Sequence, residues 1–205
     1  DVASGCWDRG TKHPWYSAHR GARRRAVERA FEGLEAEAID VRVAAARRLG
    51  MMGDSSEVDR LVEALADDSG RVRAAAARAL GRLDSGTEAL VARLDAESDD
   101  QAYLEVVDAL GRIGGGRAVE ALTGELGEAR AVSLPGGVET DGRTFVAEAL
   151  IRLEDGRPVE KLVGLLENES EAVRRASMRA LHFLTNQRLV GSDGAAEEGR
   201  VVEAW

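Results

Sequence analysis

The chain has 205 residues, 44% of them hydrophobic and 32% charged, enough apolar material for one ordinary domain with a buried core. Its formal net charge of -9 argues against a general nucleic-acid binder, and its single cysteine, Cys6, excludes an internal disulfide framework. No apolar run is long enough to span a membrane, and with aromatics at only 4% the core must be assembled from Ala, Leu and Val, which suits close helix-on-helix packing.

Charge is unevenly spread. Residues 1–30 hold seven basic against three acidic side chains, which leaves the rest of the chain at -13. Residues 1–19 lack helical periodicity but gather Cys6, Trp7, His13, Pro14, Trp15, Tyr16 and His19, and they are expected to form an irregular aromatic cap over the first apolar face. The spacing of Cys6, His13 and His19 fits no zinc pattern, so no metal is expected there. The chain opens on Asp1, as expected of a processed or trimmed product. ASGC at residues 3–6 resembles the end of a bacterial lipoprotein signal without its apolar region, so a cytoplasmic location is favoured over export or lipid anchoring at Cys6.

Helical patterning dominates from residue 20. Val58, Leu61, Val62 and Leu65 fall at i, i+3, i+4, i+7, as do Val72, Ala76, Ala79, Leu80 and Leu83 after the sequence DDSG, whose Asp and Ser are expected to cap the second helix. The unit is a helical hairpin, and it recurs. VRVAAARRLG from Val41 aligns with VRAAAARALG from Val72, AYLEVVDALG from Ala102 and VRRASMRALH from Val173, at a basic spacing of 30 to 31 residues. Two such short helices cannot bury a core alone, so the expected fold is all-α, an α-solenoid of about five stacked hairpins over 20–53, 54–84, 85–114, 115–155 and 156–186. Residues 187–205, with Val201, Val202 and Trp205, are expected to close the far end.

The fourth copy carries about nine extra residues, in AVSLPGGVETDGRTF. Pro135, Gly136, Gly137, Asp141 and Gly142 are turn signals flanking 138–140, which predicts a protruding loop or small hairpin on the binding face. The run Gly114, Gly115, Gly116 lacks the Lys and Ser/Thr of a phosphate loop and reads as an inter-repeat turn. No Ser or Cys has a recognisable base partner, so no catalytic residue and no cofactor are expected. Glu97, Asp99, Asp100, Glu105 and Asp108 form the densest acidic stretch, expected as a solvated face.

The second positions of the B helices carry Arg42, Arg73, Tyr103, Arg143 and Arg174. A cation at a helix N-terminus opposes the helix dipole and needs compensation, expected from loop carboxylates such as Asp40, Asp68 or Glu171. The functional alternative is a row lining the concave groove and contacting a partner, together with Leu134 and Val138 of the insertion.

The repeated VRxAAxRALG with its preceding A helix resembles the HEAT-like repeats first described in phycobilin lyases and found in many bacterial repeat proteins, over roughly residues 20–185. The resemblance implies a binding scaffold whose partner is another protein or peptide. It also implies the alternative of a lyase-like enzyme or chaperone holding a tetrapyrrole in the groove, with nucleic-acid binding disfavoured by charge. The deoxyhypusine hydroxylase branch of the family needs His-Glu pairs, and none of His13, His19 and His182 is followed by Glu. His182 stands where other copies have Gly50, Gly81 and Gly111, and is expected to fill a packing gap in the end repeat.

Overall fold

The computed structural model describes residues 14–52 and 57–192, with side chains over 21–52 and 57–185. Helices α1 (Pro14–Leu34) and α2 (Ile39–Met52) form the first hairpin, α3 (Val58–Ala64) and α4 (Gly70–Arg82) the second, and α5 (Thr87–Ala96) and α6 (Asp100–Ile113) the third. The fourth pairs α7 (Gly115–Glu125) with α8 (Arg143–Ile151). The fifth pairs α9 (Val159–Gly164), continued by a 3-10 turn at Leu165–Glu167, with α10 (Glu171–Ser192). Between α7 and α8 lies an antiparallel hairpin of β1 (Ala131–Leu134) and β2 (Val138–Asp141), with Leu134 opposite Val138.

The second helix of each hairpin stacks on the next, α2 on α4, α4 on α6, α6 on α8 and α8 on α10, so the molecule is an all-α solenoid with its core between the two helical layers. Val72, Leu80, Leu110, Leu150 and Val173 are fully buried along the stack, as the apolar stripes require.

Small residues set the stacking distance. A Cβ on Gly50 would lie 2.7 Å from the Ala79 Cα, one on Gly81 2.9 Å from the Ala109 Cα, and one on Gly111 2.8 Å from the Ala149 Cβ. Each glycine on one B helix therefore receives the backbone of an alanine on the next. The alanine position is Arg48 in the first copy, which is exposed, and the glycine position is His182 in the last, also exposed. His182 thus fills no gap, and glycine is not required at every joint, since Ile151 holds the same position on α8 and α10 still stacks there. Val41 is 47% exposed although its equivalents Val72, Ala102 and Val173 are buried, because no described helix covers that side of α2.

Three other expectations are corrected. Helix α1 begins at Pro14, inside the segment read as irregular; proline is favoured in the first helical turn, and a helix of 21 residues against a partner of 14 has turns that need no apolar stripe. Helix α10 runs to Ser192, past the boundary at 186, because its backbone bonding continues without the repeat pattern. Ser69 sits at the α4 N-cap without a side-chain bond, and the capping oxygen is spent instead by Asp67 on the Ser69 N–H, at 2.8 Å. The expected cap over 1–13 and closure over 193–205 lie outside the described residues.

The seam has a direct test. Gly50→Val forces a branched side chain into the α4 backbone and lowers stability by about 2–3 kcal/mol in urea unfolding. Gly164→Ala, at φ -59° with nothing near the Cβ position, raises it by roughly 0.4–1 kcal/mol. Equal losses in both variants would refute the seam as the constraint.

Candidate functional site

The B-helix arginines are built into the repeat joints. Arg42 Nη1 donates to the Ala36 and Glu37 carbonyls of its own turn, while Nε and Nη2 reach Asp67 in the turn of the next repeat at 2.7 and 3.0 Å. Arg73 repeats this, with Nη1 on the Asp67 and Asp68 carbonyls and Nε and Nη2 on Glu97 at 2.9 and 2.7 Å. Arg174 Nη1 holds the Asn168 and Glu169 carbonyls in the same manner. One guanidinium thus closes its own turn and clips it to the following one, which is why a cation is tolerated at a helix N-terminus. The carboxylates used are Asp67 and Glu97 rather than Asp40, Asp68 or Glu171; Asp40 pairs instead with exposed Arg71 at 2.7 Å.

Glu97 is the most enclosed of these acids. Its side chain accepts from Arg73, from Arg93 at 2.8 Å and from the Asp99 N–H at 2.8 Å. Burial alone would raise its carboxyl, but these bonds outweigh that and bring it down to about 2. In Asp67, too, burial is outweighed by the bonds from Arg42 and the Ser69 N–H, which hold the carboxyl below its ordinary range.

Copy three departs from the pattern because Tyr103 takes the arginine position. Its ring is buried and its hydroxyl donates to Glu125 at 3.0 Å; burial, then the Glu125 charge, pushes the phenol up. Arg130, just before β1, supplies the missing guanidinium. It lies 3.9 Å over the Tyr103 ring and donates to the Glu97 carbonyl at 2.7 Å, the place that position 103 would serve if it were arginine. The inserted hairpin is thereby locked to α6, and the lock is reinforced by buried Val132 and by the Ser133 N–H on Asp100 at 2.9 Å. In the fourth copy Arg143 binds Asp141 within its own loop, and burial of Asp141 is outweighed by those bonds.

Of the residues singled out in the sequence, Arg42, Arg73, Arg143, Arg174 and Tyr103 are therefore engaged within the fold, and Arg73 and Tyr103 are buried. Leu134 is half-buried at the hairpin end, and Val138 is 58% exposed. Of the acidic stretch, Glu97 and Glu105 are buried and paired, with Arg73 and Arg78. The outer face of the B layer is carried by other rows: Arg47, Arg78, Asp108, Glu148 and Arg179, and four residues on from these Met51, Arg82, Arg112, Arg152 and Phe183. Across the repeats Arg78 grips Glu105, Arg152 reaches Asp108 at 2.9 Å and Arg179 reaches Glu148 at 2.7 Å. These rows and Arg130 went unnoticed in the sequence. The rows were legible as arginines recurring at the sixth position after Val41, Val72 and Val173 and at the tenth after Val72 and Ala102.

Among the described residues no three His, Cys, Asp or Glu side chains gather as a metal site requires, and no helix is long and apolar enough to cross a membrane. Cys6 and His13, and the side chain of His19, lie outside the described residues.

This architecture is an α-solenoid of the HEAT-like kind, and residues 27–102 match the family described as HEAT repeats. Among solved structures the chain is similar to one in the complex of CpcE and CpcF of phycocyanin lyase from Nostoc sp. PCC7120, at TM-score 0.65 and 24% identity, covering 93% of this chain and 72% of that one. It is also similar to an engineered protein, at TM-score 0.50 and 23% identity, covering 85% of each. No curated protein sequence matches significantly.

The joint makes a pH-dependent prediction. Because the folded Glu97 carboxyl sits below its unfolded value, its stabilisation is full above about pH 5 and is lost as pH falls toward 2. Glu97→Gln costs on the order of 2–3 kcal/mol at neutral pH, and variant and parent converge in acid when urea unfolding is followed across pH. A gap that stays constant over that range would show that Glu97 is not the titrating group.

Proposed function

We propose that this chain is a non-catalytic protein-interaction module that presents the outer face of its B helices, with the inserted hairpin beside it, to another protein or peptide. The observation that carries this is the hairpin. It holds Val138 out at 58% exposure while its base is fixed to α6 through Val132, Asp100 and Arg130. An apolar side chain on a rigid base costs little ordering on binding. Arg42, Arg73, Tyr103, Arg143 and Arg174 then serve the surface from within, setting the rise between repeats, while Leu134 and Val138 meet the partner. The similarity to a chain from a two-protein complex also supports a protein partner.

The test is capture from the native source with the tagged chain and quantitative mass spectrometry. A partner retained by the parent protein is lost at least about tenfold with Val138→Asp, while the melting temperature stays within about 2 °C, since the residue is exposed. Equal yield with both proteins sinks the reading. A bilin whose absorption shifts on mixing with the purified chain would replace it with the lyase-like alternative.

A further inference from the structure

The charges on the B face are not equally available. Glu105 is gripped by Arg78 and receives the Gln101 amide at 3.2 Å, Asp108 is held between Arg112 and Arg152 at 2.7 and 2.9 Å, and Glu148 is bound by Arg179. Arg47, Arg48 and Arg82 are exposed and form no ion pair or hydrogen bond among the described residues. In a chain of net charge -9, the uncommitted charge on this face of α2 and α4 is positive.

Arg47 and Arg82 share one locality because of the seam. Arg47 lies one turn before Gly50 and Arg82 one turn after Ala79, and at Gly50 and Ala79 the backbones of α2 and α4 are in contact. Met51, 67% exposed, lies one turn beyond Arg47 and next to Gly50 in the chain.

We propose that this patch binds an acidic segment of a partner protein that carries an apolar residue, its carboxylates meeting Arg47 and Arg82 and its apolar side chain meeting Met51. The proposal rests on the interaction reading above and names the partner's chemistry. A peptide suits the patch better than a nucleic acid. Beyond α4 one row turns to Asp108 and Glu148, and Arg112 and Arg152 of the row beside it are both held by Asp108, so no continuous uncommitted cationic track follows a phosphate backbone, and an exposed methionine offers nothing to a phosphate.

The probe is a fluorescein-labelled peptide of repeated Glu-Glu-Leu, titrated by anisotropy at about 50 mM salt, where exposed charges are weakly screened. A Gln-Gln-Leu peptide and a labelled oligothymidine of equal length serve as comparisons. The expected result is binding of the acidic peptide alone, weakened about tenfold or more by Arg47→Glu with Arg82→Glu, reduced by the milder Gln pair, and unchanged by Arg29→Glu on α1. Circular dichroism of the Glu and Gln pairs reports whether the fold is kept. Failure of the acidic peptide to bind, equal affinity in the folded double variants, or tighter binding of the oligonucleotide overturns the proposal. A captured partner lost with Val138→Asp but kept with Arg47→Glu and Arg82→Glu also overturns it, and leaves the interaction reading standing.

Discussion

Consecutive B helices in this chain meet backbone to backbone, glycine against alanine, at three successive joints: Gly50 on Ala79, Gly81 on Ala109 and Gly111 on Ala149. A side chain at any of these glycines would have to push a neighbouring helix away, so the spacing of the repeats is set by the absence of atoms. Everything else follows from that spacing. It brings the turn of each repeat within reach of the preceding B-helix arginine, and it brings the exposed rows of α2, α4, α6 and α8 close enough for charges to pair across repeats.

The arginine joint adds direction to this packing. Apolar stripes alone would let neighbouring hairpins slide, because burial is indifferent to small shifts along a helix. A guanidinium that must satisfy two carbonyls of its own turn and one carboxylate of the next fixes the register, and enclosed Glu97 makes a slip costly. Where copy three has lost its arginine, the joint is rebuilt from Tyr103, Glu125 and Arg130, and the rebuilding is what attaches the inserted hairpin. The irregular repeat is thus a modified joint and the anchor of the most exposed apolar strand residue, Val138.

The ends of the array show the same logic by default. Arg48 takes the place that alanine holds in every later copy, and His182 takes the place of glycine. Among the described residues no B helix stacks before α2, and the position that later copies give to alanine carries exposed Arg48 there.

The periodicity of apolar residues and the 30 to 31 residue spacing were sufficient to determine the hairpins, their number and the stacked all-α class, because those depend on local pattern and on burial that a short helix cannot supply alone. The turn signals likewise announced the inserted hairpin. What tertiary structure alone decided was the employment of each charge. Arg42 and Arg47 are five residues apart on one helix and look equivalent in the sequence, yet one is clipped to Asp67 and the other faces outward unpaired. That difference is set by which side of the helix meets the next repeat, and by where carboxylates 24 or 25 residues away come to rest once the helices have stacked.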